Sequence, residues 1–315
     1  MRTTSGTEVL IGCDPEFFLY SPKAKRNVSA HRLIPGDKKN PHKVDGGAIQ
    51  VDGTAVEFNI DAASTPEQFE ANVKKVLGHL RKTIPEKYEF QFKPAIYYPK
   101  EYFDKLPART KELGCDPDYN AYTGATNPRP PADKVGTMRT GSGHIHIGWT
   151  KDADIEDPSH IWDCRQLVKA LDQFFIQYSH FWDNDVDRRR LYGNYGAFRP
   201  KSYGVEYRVL SNAWLAHPEI YQWLFTSCVA VFNFLERGNM LRSYRMPSFY
   251  SLKSVHSYYP EDVWLSKYDA NYNPFYYSTL PKSPKVAGWT PAFSEKVLKP
   301  EYYQLPNQPA NVNWI

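Results

Sequence analysis

The sequence predicts a mixed fold of helices and sheet, in which apolar helix faces cover a sheet whose other face carries polar side chains. Four strand-like runs contain polar residues two positions apart, and three segments place apolar residues at helical spacing. Alternate strand residues face opposite sides of a sheet, and residues three or four positions apart form one helix face. The predicted polar sheet face is therefore where we expect function.

The four strand-like runs carry mostly carboxylates and imidazoles. Their polar pairs are Asp14 and Glu16, Glu57 and Asn59, His144 and His146, and Glu206 and Arg208. A single HxH pattern is also explained by histidines that are hydrogen-bonded within a sheet. Burying a carboxylate among apolar residues is costly, so four such pairs indicate one charge-compensated site. Carboxylates and imidazoles bind divalent cations, and arginine suits phosphoryl oxygens.

The remaining elements follow from local signals in the sequence. Proline in a strand predicts an edge, a bulge or a strand end, and a capping residue followed by proline begins a helix. The predicted elements are a strand over 9–20 in which Pro15 marks an edge, a bulge or a strand end, a helix from Pro66, a strand over 88–96, a loop over 99–134, a helix ending near Trp182, and a helix over 218–238.

The amino-acid composition limits the class of protein that the sequence can encode. The 315 residues are 41% hydrophobic, which supplies a sizeable core, and the formal net charge of +4 does not indicate a nucleic-acid partner. No apolar run approaches the roughly 20 residues of a membrane span, and no signal core begins the sequence, so we expect a cytoplasmic protein without a membrane partner. We predict a core over residues 1–238 and a Tyr/Pro-rich extension over 239–315 packed on it.

Cationic residues concentrate before Glu206. This concentration fits either a solvated charged surface or a loop that faces phosphate, and Arg and Lys both bind nucleotide oxygens. The predicted nucleotide-binding residues are Arg139, Arg190, Arg199, Lys201 and Arg208.

Taken together, four motifs resemble, in residues and in order, the phage-type carboxylate–amine ligases, or type 2 amidoligases, of the glutamine synthetase and glutamate–cysteine ligase superfamily. The motifs are Asp14-Pro15-Glu16-Phe17, Val56-Glu57-Phe58-Asn59, Gly141-Ser142-Gly143-His144-Ile145-His146-Ile147-Gly148 and Tyr203-Gly204-Val205-Glu206-Tyr207-Arg208-Val209-Leu210-Ser211-Asn212. The resemblance implies an α+β fold with a curved, mostly antiparallel, glutamine synthetase-like sheet backed by helices. It also implies that ATP and Mg²⁺ or Mn²⁺ bind on the concave face.

The resemblance further implies a reaction and roles for residues. A substrate carboxylate takes the γ-phosphoryl group of ATP, and an amine then displaces phosphate to leave an amide. Both substrates are small molecules or peptides, and a phage-encoded protein in the host cytoplasm is compatible with this likeness. The implied metal ligands are Glu16, Glu57, His144 and Glu206, with Asp14 and His146 in support, and the implied catalytic residues are Arg208, Glu57 and Glu206. Asp14 stands where relatives often have Glu.

Two other functions are compatible with parts of the sequence. A metal-dependent hydrolase would use the His and Glu residues to hold a metal-bound water as nucleophile. A non-enzymatic binding module would use the many aromatic side chains. The sequence lacks both GxxxxGK[ST] and GxGxxG, so ATP would be held by neither a P-loop nor a Rossmann loop.

Overall fold

The computed structural model describes residues 8–112, 118–127, 135–179, 182–183, 185, 188 and 191–237. In these residues the strands are β1 (Leu10–Cys13), β2 (Glu16–Ser21), β3 (Arg26–Val28), β4 (His42–Val44), β5 (Gly47–Asp52), β6 (Ala55–Ile60), β7 (Glu89–Gln91), β8 (Ala95–Tyr97), β9 (Tyr119–Asn120), β10 (Met138–Thr140), β11 (Ile145–Gly148), β12 (Ala197–Lys201) and β13 (Gly204–Tyr207). The α-helices are α1 (Pro66–Thr83), α2 (Lys100–Phe103), α3 (Ala108–Lys111), α4 (Pro158–Ser179) and α5 (Tyr221–Glu236), and 3-10 turns span Asn212–Ala216 and Pro218–Ile220. The predicted extension over 239–315 lies outside the described residues.

The strands form two main sheets. The first sheet has the order β1, β11, β13, β12, β9, and the second has the order β3, β2, β6, β5, β4, with β7 also paired to β2. Strands β8 and β10 form a separate pair. Every pairing between the described strands is antiparallel. The predicted α+β class with mostly antiparallel sheet is thus confirmed.

The two main sheets are joined where β1 passes into β2. Asp14 and Pro15 separate these strands, and Pro15 has no N–H to donate to a ladder. Backbone hydrogen bonds continue on both sides of the break, because Asp14 N donates to His144 O at 3.4 Å and Glu16 N donates to Ser142 O at 2.8 Å. The predicted strand over 9–20 is therefore two strands, one in each sheet.

The long helices cover the sheets. Helix α1 begins as predicted, because the Thr65 side chain accepts a hydrogen bond from Gln68 N at 3.1 Å and Pro66 occupies the first turn. Its buried face packs on β5, β6 and α5, while α4 packs on β12 and β13. Helix α5 contacts both α1 and α4. No described helix has the length and apolar character required to cross a membrane.

Three predicted boundaries differ from the structure. The strand predicted over 88–96 is broken before Pro94 into β7 and β8, which belong to different sheets. The helix predicted to begin at Pro218 starts as a 3-10 turn and becomes α-helical at Tyr221, whereas α4 reaches Ser179, close to its predicted end near Trp182. The segment predicted as a loop over 99–134 contains α2, α3 and β9 in its described part. Prolines and short polar segments set these boundaries locally, whereas periodicity does not locate them.

Candidate active site

Glu206 occupies the centre of the first sheet. In the antiparallel register, Glu206 on β13 lies opposite His146 on β11 and opposite Arg199 on β12. Side chains at directly opposed positions point to the same face of a sheet. The carboxylate of Glu206 is almost fully buried, with 1% of the residue exposed. The sheet thus holds a buried anion between an imidazole and a guanidinium.

Two histidines and Asp14 complete a group that we call the Glu206 cluster (Asp14, His144, His146 and Glu206). His144 Nδ1 lies 3.2 Å from Asp14 Oδ1 and 3.4 Å from Glu206 Oε1, and His146 Nε2 lies 3.1 Å from Asp14 Oδ1. One donor atom from each of Asp14, His146 and Glu206 lies within 4.8 Å of the other two, which is close enough to bind one metal ion. The Tyr203 hydroxyl contacts His146 Nδ1.

Cations surround the same carboxylate. Lys201 Nζ lies 2.7 Å from Glu206 Oε2, Arg199 lies 3.9 Å from Oε1, and Arg208 Nη1 also contacts Oε1. Arg208 is held from a second side, because its Nε donates to Asp118 Oδ2 at 3.2 Å. The three cations predicted from the sequence to meet phosphate in this region therefore lie together.

These contacts set the charge of the Glu206 cluster. Burial and the neighbouring Asp14 would each raise the pKa of Glu206, but Arg208, His144 and His146 outweigh them and lower that pKa to about 2. Burial would likewise raise the pKa of Asp14, yet His146 and His144 hold it well below its ordinary value. Both carboxylates are therefore ionised at neutral pH, as ligands of a cation must be.

A second group, which we call the Glu57 cluster, consists of Glu16, Asp52 and Glu57. Glu16 on β2 lies directly opposite Glu57 on β6, and Asp52 ends the neighbouring strand β5. One oxygen from each carboxylate lies within 4.8 Å of the other two. Gln50 Nε2 donates to Glu57 Oε2 at 2.7 Å, and Ser142 N donates to Glu16 Oε2 at 3.2 Å.

The Glu57 cluster lacks the cations of the Glu206 cluster. Among the described residues, no Lys, Arg or His lies within ion-pair distance of Glu16 or Glu57. Burial and the charge of Asp52 raise the pKa of Glu16 to about 7, and burial and Glu16 raise the pKa of Glu57 well above its ordinary value. Lys38 Nζ lies 3.8 Å from Asp52 Oδ2, so only the Glu16 and Glu57 carboxylates lack a counter-charge at that distance in the described residues. Three converging carboxylate oxygens fit a hard divalent cation such as Mg²⁺ or Mn²⁺.

The glycines around the histidine strand allow another segment to approach. A Cβ at Gly143 would lie 2.2 Å from Ser211 O, and a Cβ at Gly141 would lie 2.2 Å from Asn212 Nδ2. Gly143 N donates to Leu210 O at 3.0 Å. These contacts hold the segment after β13 against Gly141 and Gly143, the neighbours of Ser142, whose N donates to Glu16. One backbone network therefore supports both clusters.

The structure distributes the predicted site residues between the two clusters. The Glu206 cluster contains four of the predicted metal ligands, and Glu16 and Glu57 lie in the other cluster with Asp52. Arg199, Lys201 and Arg208 contact Glu206, whereas Arg139 lies on β10 beside the Glu57 cluster. Arg190 lies outside the described residues.

Four residues of the site carried no clear signal in the sequence. Asp52 precedes Gly53 and resembles an ordinary turn residue, and Asp118 lies in a segment without periodicity. Gln50 alternates with Asp52 along β5, which is the same two-residue spacing that marks the other polar pairs. Tyr203 is one aromatic residue among 23 tyrosines. Only Gln50 and Asp52 could have been found by extending the two-residue pattern.

Comparison with known proteins bears on this arrangement. A family model described as "Phage phiEco32-like COOH.NH2 ligase-type 2" matches residues 136–261. The chain resembles this ligase family. The resemblance predicted from the sequence is therefore confirmed over this segment. The segment of this chain that the family model matches includes His144, His146, Glu206 and Arg208. Asp14 and the Glu57 cluster precede that segment.

Solved structures show only remote similarity. A bifunctional glutathione synthetase from Pasteurella multocida aligns with a TM-score of 0.41 and 10% identity over 96% of this chain and 47% of its own. The chain thus spans about half the length of that synthetase. GmaS without ligand aligns with a TM-score of 0.41 and 11% identity over 88% of this chain and 73% of its own. No property of either protein is transferred on this similarity. Among curated proteins, no significant match to the sequence was found.

Proposed function

We propose that this protein is an ATP-dependent ligase that joins a carboxylic acid to an amine through an acyl phosphate. The observation that carries the proposal is the pairing of two adjacent clusters with opposite electrostatic surroundings. Three cations contact Glu206, while no Lys, Arg or His of the described residues lies within ion-pair distance of Glu16 or Glu57. Transfer of a phosphoryl group to a carboxylate brings anions together, so it needs both metal ions and fixed cations.

The reaction has two balanced steps. A carboxylate oxygen of the acid attacks the γ-phosphorus of ATP, the bond to the β-phosphate oxygen breaks, and ADP leaves. The amine nitrogen then attacks the acyl carbon, phosphate leaves with the electron pair of the broken C–O bond, and the nitrogen loses a proton. Bound Mg²⁺ or Mn²⁺ would supply charge neutralisation at the phosphate oxygens. The acid and the amine are small molecules or peptides.

The chain's own residues divide this work. Glu16, Asp52 and Glu57 would hold one divalent cation, and the Glu206 cluster would hold another through carboxylate and imidazole donors. Arg208, Arg199 and Lys201 would bind and orient the phosphates, because guanidinium and ammonium groups donate to phosphoryl oxygens. Of these, we assign Arg208 to the transferring phosphoryl group, since it directly follows β13 and its guanidinium contacts Glu206.

The test measures ADP release from Mg-ATP in the presence of pools of carboxylic acids and amines, followed by mass spectrometry of the product. We expect ADP release that needs both substrates and a product whose mass equals acid plus amine minus water. With ¹⁸O in the acid, an acyl phosphate transfers one labelled oxygen to the released phosphate. Hydrolysis of amides or esters without ATP would contradict the proposal and favour a metal-dependent hydrolase, and unlabelled phosphate would contradict the acyl phosphate.

A further inference from the structure

A partly open cavity lies between β10 and the turn that joins β5 to β6. Its volume is about 70 Å³, and its wall includes Glu16, Asp52, Arg139 and Thr140. A buried water needs roughly 10–15 Å³ by the same measure, so the cavity accommodates about five water-sized groups. That space suits a carboxylate on a short aliphatic chain and is too small for a nucleotide.

Arg139 is the cation of this cavity. It is nine-tenths buried, and its Nη1 donates to the carbonyl oxygens of Gly136 at 3.1 Å and Met138 at 2.6 Å. Its Nη2 donates to Lys111 O at 2.5 Å, and the guanidinium carbon lies 4.5 Å from the centre of the Phe103 ring. These contacts fix the plane of the guanidinium without neutralising its charge.

No described carboxylate lies within ion-pair distance of Arg139, and its Nε–H has no hydrogen-bond partner among the described residues. A buried charge without a counter-ion is unfavourable, as is a buried donor without an acceptor. Nη2 donates one of its two hydrogens to Lys111 O. The Nε–H and the second N–H of Nη2 therefore have no acceptor among the described residues, and they form a two-pronged fork. That fork matches the two oxygens of a carboxylate.

The position of Arg139 separates it from the other cations of the site. Arg199, Lys201 and Arg208 contact Glu206, and Arg139 contacts none of these residues. Its cavity shares Glu16 and Asp52 with the Glu57 cluster instead. We assign these three cations to the phosphates, which leaves Arg139 for the other anion that the reaction requires.

We propose that this cavity is the subsite of the acid substrate and that Arg139 binds the carboxylate of that substrate. This assignment rests on the proposed ligase function, which requires an acid held beside the phosphate site. It differs from the nucleotide-binding role predicted from the sequence. Arg139 is then a specificity-determining residue, because it selects an anionic group and the small cavity limits the chain that carries it.

Direct binding measurements test the assignment without turnover. Calorimetry would measure the affinity of acetate, propionate, succinate and glutamate for the full chain in millimolar Mg²⁺. We expect Arg139→Gln to weaken the best of these acids roughly tenfold to a hundredfold, because it removes a charge-assisted fork. Mg-ATP affinity should stay within about twofold of the wild type. The matched control is Arg109→Gln, an exposed arginine outside the cavity wall, which should change neither affinity.

A second variant covers the case in which Arg139→Gln does not fold. Thr140→Leu adds bulk to the cavity wall and keeps every Arg139 hydrogen bond, so it should weaken succinate and glutamate more than acetate. Equal acid affinities in the wild type and both variants would overturn the assignment, as would a wild type that binds none of the four acids. Loss of Mg-ATP affinity in Arg139→Gln would show a phosphate contact instead. Failure of the ligase function would appear separately, as absent ADP release despite Arg139-dependent acid binding.

Discussion

Replacing Glu16 with Gln should stabilise the metal-free protein and weaken its response to metal, because the Glu57 cluster loses one of its three carboxylates. The pKa of Glu16 rises from 4.5 to about 7 because burial and Asp52 disfavour its charged form. Since one pKa unit corresponds to about 1.4 kcal/mol, the ionised carboxylate costs the fold at most about 3–4 kcal/mol above pH 7. Solvent access reduces this figure, so we expect a gain of about 1–3 kcal/mol in the variant.

The sign of the pH dependence follows from the direction of the shift. A folded carboxyl with a raised pKa binds its proton more tightly than the unfolded one, so its contribution is fully present below about pH 4.5. That contribution is lost as the pH rises through 4.5 to about 7. In chelator, the melting temperature of the wild type should therefore fall over this range relative to Glu16→Gln. At pH 8 the variant should melt on the order of 5 °C higher.

Metal should reverse the order of the two proteins. A ligand that binds only the folded state stabilises it by mass action, by about 2.7 kcal/mol at a hundredfold excess over Kd. Thermal melts followed by circular dichroism in chelator and in millimolar MnCl₂ would measure both effects, with the exposed Glu86→Gln as the matched control. A Glu16→Gln protein that melts below the wild type in chelator would refute the reasoning. So would a variant whose melting temperature rises in Mn²⁺ by as much as that of the wild type.

Three further predictions concern single side chains. Arg208→Lys keeps the charge but loses the planar fork, so kcat for ADP release should fall roughly tenfold to a thousandfold with little change in KM for ATP, and an unchanged kcat would limit Arg208 to binding. Tyr203→Phe removes the hydroxyl that orients His146, and Mn²⁺ affinity by calorimetry should fall roughly tenfold to a hundredfold. The buried Asp172 carboxylate accepts hydrogen bonds from Tyr207 Oη at 2.8 Å and from Gly196 N at 2.6 Å. Asp172→Asn should therefore lower the free energy of unfolding, measured in urea, by about 2–4 kcal/mol, and the folded variant should keep its Mg-ATP affinity. A change of unfolding energy below about 1 kcal/mol would contradict that role.

The sequence predicted local structure where side-chain periodicity specifies it. Helix α1 begins at Pro66 because capping, proline and apolar spacing all agree, and strand β6 carries both of its polar residues at the expected two-residue period. Strands β11 and β13 contain His146 and Glu206, whereas His144 immediately precedes β11 and Arg208 immediately follows β13. The pairing of strands was not predictable in the same way. Which strands become neighbours depends on long-range contacts, so the division of the polar pairs between two sheets had no local signal.

The residues missed in the candidate site share a physical reason. Asp118 reaches Arg208 from a segment distant in sequence, and this contact depends on tertiary packing rather than on spacing. Asp52 joins Glu16 and Glu57 only because the β5–β6 hairpin lies beside β2. The spacing of polar and apolar residues along the chain shows which side chains share a face of a strand or helix. Which faces contact each other depends on tertiary packing.

The break at Pro15 explains how two clusters with opposite surroundings can lie next to each other. A continuous strand would place Asp14 and Glu16 on one face of one sheet, where two carboxylates repel. At Asp14-Pro15 the chain changes sheet, so Asp14 pairs with the two histidines while Glu16 faces Glu57. Asp14 nevertheless raises the pKa of both Glu16 and Glu57, so its charge acts on the Glu57 cluster as well. A cation bound by the Glu206 cluster would offset the charge of Asp14 and so ease the ionisation of Glu16 and Glu57, which couples the two groups of ligands electrostatically.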